Sequence, residues 1–310
     1  MSKNKLLYGI KNAKLTGSRK TQYTNKAQAM RFAKLLFKLG YRPQHWKNIT
    51  NKHVGVVVDE WKRQGKETST IKAYVGSIRS LAKAYGNVSL HKLNSAFGIG
   101  RRSTIPKRSR AVPNKIYQEV KDHLLAGSER HKRIGHQLIV MNELGLRPEE
   151  ARKINPDIAL LPDGRIYVSA GTKGGRDRII HDPTKEQVEA VKALAPYIGQ
   201  YGNSIPDTTS EANWEKYVYK VVSALGLSIA ACGASLHGLR HAFAHRRYHE
   251  LTNLDAPCLH CNPETFRQAA YDEHGPQWRK VHDRAVVILA HELGHNRGEV
   301  TASYLGSIHG

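Results

Sequence analysis

Apolar positions in the first third of the chain recur at steps of three and four. Ala29, Phe32, Ala33, Leu36 and Leu39 share one face and predict a helix running from Asn25 to Gly40. Val54, Val57, Val58 and Trp61 predict a second helix, capped by Thr50 and reaching Gln64. Ile71, Val75, Ile78 and Leu81 predict a third, capped by Thr68 or Ser69 and stopped at Gly86. Residues 1–24 lack this rhythm and read as irregular. Tyr74 and Tyr85 fit the core of this helical unit.

Further along, helices are expected from Asn114 to Leu125, over about 130–144, and from Pro148, whose ring suits a first helical turn and is followed by two carboxylates. The pattern then shortens to strand length. Ile158–Leu161, Arg165–Ser169 and Arg176–Ile180 read as three strands, with turns at Pro162-Asp-Gly164 and Thr172-Lys-Gly-Gly175. Helices follow near 184–195 and 211–225, then one capped by Ser235 and carrying His237. Residues 252–276 are punctuated by Pro and Gly, and a last helix spans about 278–293. The expected fold is mainly α with one small antiparallel sheet in a second domain. Its division is a helical domain over 1–105, a linker over 106–114 and a larger domain over 115–310.

Charge sharpens this division. The net charge is +23, yet residues 1–110 hold 25 Lys and Arg against 3 Asp and Glu, while the rest is near balance. A basic block with helical periodicity is the footprint of a polyanion-binding module. Arg101, Arg102, Lys107, Arg108 and Arg110, in the linker region, suit a path along phosphates. No run of apolar residues is long enough to span a bilayer, and the basic N-terminus lacks the apolar segment of a secretory signal. Three clustered cysteines do not make a disulfide framework, so a reducing, cytoplasmic setting is expected.

The chemistry gathers near the end. His237-Gly-Leu-Arg240 is followed by Gly294-His295, and Tyr304 comes nine residues after His295. With Arg147 and Lys173 these residues supply a nucleophile, donors for phosphoryl oxygens and a proton donor. That is a set able to cut a phosphodiester with no metal and no cofactor. Arg grips non-bridging oxygens with two donors, which Lys does less well.

GLRPEE, GTKGGRDR, SLHGLRHAFAH and ELGHNRGEVTASYLG, in this order, resemble the tyrosine recombinase (phage integrase) family, in the manner of integrases of genomic islands and integrating elements. The likeness covers most of residues 115–310. It implies a two-domain DNA clamp whose substrate is a double-stranded attachment site. It implies Tyr304 as nucleophile, Arg147 and Arg240 on the phosphate, Lys173 as general acid, His237 as its base or acid partner and His295 as a phosphate donor. Glu150 is a supporting residue that orients Arg147 or His237. Arg176 and Arg178 share the hairpin of Lys173, but neither ends its turn. The resemblance also implies a 3′-phosphotyrosine intermediate, a homotetramer on two duplexes and, for some members, a directionality factor. Such relatives usually donate a C-terminal segment to a neighbour, for which only Leu305–Gly310 remain here.

Three rivals stand beside this reading. A type IB-like topoisomerase uses the same chemistry without pairing two sites, and a DNA-binding protein without catalysis would leave the set idle. His291-Glu-Leu-Gly-His295 spells the HExxH zinc-protease pattern, but Thr301 stands at the third ligand position of its extended form. Cys258-x-x-Cys261, with His260, His274 and His282 nearby, could hold a structural zinc, and two loose thiols are the favoured reading. His237, His241, His245 and His249 repeat every four residues. Only His237 carries a motif, so the others are expected to pack or to face solvent.

Overall fold

The computed structural model describes residues 5–101, 105–106, 108–172, 176–295 and 298–309. They form two compact units, Met1–Ser103 and Thr104–Gly310. Among them no helix is long and apolar enough to cross a membrane.

The first unit holds α1 (Lys5–Asn12), α2 (Arg19–Lys38), α3 (Asn51–Arg63) and α4 (Thr68–Ala84). Its core is Phe32, Leu36, Val58, Trp61, Val75, Ile78 and Leu81, on the faces the periodicity marks out, with Trp46 added from the link before α3 and Leu6 and Ile10 from α1. Thr50 caps α3 as expected, in a capping box with His53. Tyr74 packs edge-on against Trp61, and Tyr85 donates to the Gly9 carbonyl at 2.6 Å. Two expectations need correction. Residues 5–12 are helical rather than irregular: α1 buries only Leu6 and Ile10, one turn apart, too few positions to show a period. Likewise α2 starts six residues before Asn25, because Ser18 accepts from the Thr21 N–H and so caps a polar first turn.

The second unit holds α5 (Asn114–Leu125), α6 (Glu129–Leu144), α7 (Pro148–Lys153), α8 (Pro156–Ala159), β1 (Ile166–Val168), β2 (Arg178–Ile180), α9 (Lys185–Lys192), α10 (Glu211–Ala224), α11 (Ile229–Cys232), α12 (Gly238–Thr252), α13 (Pro263–His274), α14 (Trp278–Glu292) and α15 (Ala302–Leu305). The sheet has two antiparallel strands, in the register Ile166↔Ile180 and Val168↔Arg178. The expected first strand is replaced by α8, where Asn155 caps and Pro156 opens a single helical turn, leaving one bridge from Leu160 to Ile166. The stretch 252–276 contains a full helix, α13, started by an Asn262 capping box with Pro263 in its first turn. Ser235 does not cap α12; His237 stands at that position without a side-chain cap bond.

Two apolar clusters build this unit. One surrounds α6 and includes Leu138, Met141, Leu144, Trp214 and Leu239. The other joins Phe243, Tyr248, Phe266, Leu289, Tyr304 and Leu305. Helix α12 contributes to both, with Leu239 in the first and Phe243 in the second. Arg240 lies at the seam, fully buried.

Candidate active site

A buried arginine needs partners for its five N–H groups, because an unpaired charge in a protein interior is costly. Arg240 finds them on four sides. Its Nη1 donates to the Gly145 carbonyl at 2.5 Å, and its Nη2 to the Leu293 carbonyl. Nη2 also lies 3.3 Å from His295 Nε2, and Nε donates to the Tyr304 hydroxyl at 3.0 Å. Gly145 ends α6 in the left-handed region (φ 62°), and a Cβ there would collide with the Phe243 ring. Glycine is therefore what lets this carbonyl reach Arg240.

Glu150 is the counter-charge. It is fully buried one turn into α7. Oε1 accepts from Arg147 Nη1 at 2.6 Å, and Oε2 accepts from the Arg147 backbone N–H at 2.8 Å and from Arg178 Nη2 at 3.0 Å. Arg240 Nη1 is 3.9 Å from Oε2. Burial alone would raise the carboxyl's pKa. Arg178, Arg240 and Arg147 outweigh it and hold Glu150 down at about 2. Three arginines thus share one carboxylate, and the surplus positive charge lies beside Tyr304.

The Tyr304 ring is 5% exposed. The rings of His241, His295 and His237 surround it at centroid distances of 4.8, 5.8 and 5.9 Å, and the Arg240 guanidinium lies 5.5 Å from its centre. Burial, reinforced by Arg240 and Arg147, pushes His237 and His295 down to about 4. Burial, with His237 and His245 adding to it, pushes His241 to about 3. All three imidazoles are neutral at neutral pH. The Arg240 N–H facing His295 Nε2 makes that nitrogen an acceptor, so Nδ1 carries the proton and is the donor left for a ligand.

The chain thus brings together Arg147, Glu150, His237, Arg240, His295 and Tyr304. Lys173 lies outside the described residues, as do Arg102 and Lys107. Arg101, Arg108 and Arg110 are exposed. Arg110 lines a cavity of about 350 Å³ with His237 and His241, and the neighbouring Val112 N–H donates to the Gly238 carbonyl at 3.1 Å. One participant, Arg178, is not singled out by the sequence. The sequence offers Arg178 only as a residue on the hairpin of Lys173, yet it is the inward residue of a strand whose neighbour Ile179 faces out. His245, which the sequence places among the packing or solvated histidines, is buried.

The HExxH pattern does not form a site. Helix α14 ends at Glu292, and Gly294 (φ 66°) turns the chain so that His295 leaves the helix. The Glu292 carboxylate is held by Arg247 at 2.9 to 3.1 Å, and His291 is exposed. Cys258 is buried and Cys261 exposed. No three His, Cys, Asp or Glu residues among those described are grouped to hold a metal ion.

Residues 4–91 match the family model described as phage integrase, N-terminal, and residues 98–246 match the integrase model. The second match spans Arg147, His237 and Arg240 and stops before His295 and Tyr304. The fold is that of the tyrosine recombinases. The chain superposes on the XerH site-specific recombinase bound to palindromic difH substrate with a TM-score of 0.58, at 16% identity over 92% of this chain and 76% of that one. A lambda integrase tetramer bound to a Holliday junction gives 0.59 at 16% identity, over 98% and 76%. The Tn1549 transposon integrase in complex with a circular intermediate DNA gives 0.57 at 15% identity, over 97% and 94%. No curated protein sequence matches significantly. The chain belongs to the tyrosine recombinase (phage integrase) family and is a site-specific recombinase of the integrase kind.

Proposed function

We propose that this recombinase cuts and rejoins double-stranded DNA through a 3′-phosphotyrosine on Tyr304, integrating or excising a mobile element. The observation that carries this is the 3.0 Å bond from Arg240 Nε to the Tyr304 hydroxyl within one chain. A free tyrosine hydroxyl titrates at about 10, so it needs positive surroundings or a proton acceptor to attack. Arg240 supplies the first, and neutral His237 can supply the second. The hydroxyl oxygen bonds to phosphorus as the P–O5′ bond breaks. Arg147 and Arg240 hold the non-bridging oxygens and stabilise the charge of the pentacoordinate state. His295 donates through Nδ1, and Lys173 protonates the departing O5′. One phosphodiester replaces another, so rejoining to a new strand needs no external energy source.

Glu150 holds Arg147 through both side chain and backbone, which fixes the angle at which its guanidinium meets a phosphate. The basic unit over 1–105, with the linker at 106–114 and Arg101, Arg102, Lys107, Arg108 and Arg110, follows the duplex backbone. The working assembly is a homotetramer on two duplexes in the cytoplasm, acting at double-stranded attachment sites, with a directionality factor as a further partner. The test is strand exchange between two duplexes carrying the flanking repeat, in excess EDTA. Recombinant product supports the reading. Relaxation of supercoils without exchange would point to a topoisomerase, and loss of activity in EDTA would remove the arginine-based mechanism.

A further inference from the structure

Tyr304 lies in a helix of four residues, α15. A helix this short does not persist by itself, because nucleation fixes several residues for each bond gained. Its own bonds run from Leu305 N to the Thr301 carbonyl and from Gly306 N to the Ala302 carbonyl, both at 3.0 Å. The Tyr304 carbonyl, at the C-terminal end, has no such donor. It is met by His245 Nε2 at 3.0 Å, with Cys258 Sγ 3.7 Å from the same oxygen and 3.4 Å from the same nitrogen. A carbonyl only accepts, so Nε2 carries the proton. Burial keeps the His245 ring toward its neutral form and pushes the Cys258 thiol up to about 11, so the pair serves as fixed dipoles rather than charges. Helix α12 therefore grips the nucleophile twice: Arg240 holds its hydroxyl and His245 its backbone.

We propose that His245, backed by Cys258, is a positioning residue that fixes α15 on α12 and so aims the Tyr304 hydroxyl at the scissile phosphate. The proposal rests on Tyr304 being the nucleophile. Without the His245 bond, the Tyr304 carbonyl loses that tie to α12, and the ring is left to the Arg240 bond at its hydroxyl and to packing against His241, against which it can shift. Attack geometry tolerates little of this, since misplacement by about 1 Å costs on the order of a hundredfold.

The test uses the full chain and a nicked suicide duplex carrying the repeat that flanks the gene. The rate of covalent adduct formation is measured at saturating DNA, alongside the affinity for the same duplex and the thermal midpoint. His245→Leu should slow adduct formation roughly tenfold to a hundredfold, with affinity unchanged. His245→Gln, whose amide N–H reaches the Nε2 position, should recover most of the rate. A structural role alone would not separate Leu from Gln at equal thermal midpoints. Should His245→Leu fail to fold, Gly306→Ala carries the test. A Cβ there meets the Cys258 backbone N and Cβ at 2.8 Å and lifts the tail while leaving α12 intact, so the same loss of rate is expected. Wild-type rate in His245→Leu or Gly306→Ala, or equal slowing in the Leu and Gln variants, overturns the proposal. Failure of the unaltered protein to form any adduct would instead overturn the nucleophile assignment beneath it.

Discussion

Arg178 Nη2 donates to Glu150 Oε2 at 3.0 Å, and neither side chain is more than 4% exposed. This pair ties the sheet to α7, and it fixes the carboxylate that holds Arg147. Arg178 Nε and Nη1 are buried without a partner among the described residues. The cluster therefore accepts desolvation cost and keeps excess positive charge next to Tyr304, where a phosphate would compensate it.

Glu150→Gln leaves Arg147, Arg178 and Arg240 facing one another without a counter-charge. Breaking a buried pair from one side costs about 3–5 kcal/mol. Urea titration should show a loss of that order, with anions such as phosphate restoring part of it. A loss within about 0.5 kcal/mol, the range of ordinary surface changes, would contradict the buried-cluster account.

Acid should weaken the fold before Glu150 titrates. His237, His241 and His295 would titrate at 6.5 as free side chains and fall to about 4, 3 and 4 in the fold. Between these values the unfolded chain binds more protons, so their contribution is complete above about pH 6.5 and is lost as pH falls toward 4. The thermal midpoint should drop between about pH 7.5 and about pH 5, and bound DNA should blunt the drop. A midpoint independent of pH in this window would contradict the neutral-imidazole assignment.

Much of this was legible in the sequence, for identifiable reasons. The α2, α3 and α4 faces repeat often enough to show their period, and Thr50 announces its helix. Arg147, His237, Arg240, His295 and Tyr304 are spaced as motifs, and Glu150 follows Arg147 by one turn. Arg178 and His245 were not legible, because each matters through a partner distant in sequence. Arg178 is 28 residues from Glu150, and His245 is 59 from Tyr304. Helix α13 was hidden by the Pro and Gly residues around it, although Pro263 opens the helix rather than breaking it.

Salt dependence should divide between the two units. The block over 1–110 holds nearly all the excess charge, and each neutralised phosphate contributes about 0.9 to the slope of log affinity against log salt. A fragment over 111–310 should bind DNA more weakly than the full chain and with a shallower slope. Equal slopes would contradict this division.

Proton donation and charge stabilisation can be told apart at Lys173 and Arg147. Lys173→Ala should slow cleavage by about a hundredfold or more, in the range of lost general acid catalysis. A 5′-bridging sulfur, whose leaving group needs little protonation, should restore it. Arg147→Ala should stay slow on the same substrate. Equal rescue of both, or of neither, would contradict the assigned roles.

The central claim is that Tyr304, held by Arg240, is the group that joins DNA. The most direct measurement is a denaturing gel of the protein reacted with a nicked suicide duplex, comparing the unaltered chain with Tyr304→Phe. The account predicts protein trapped on a 3′ end by the unaltered chain. It predicts no adduct from Tyr304→Phe, with DNA affinity retained. An adduct formed by the Phe variant, or one linked to a 5′ end, would contradict it.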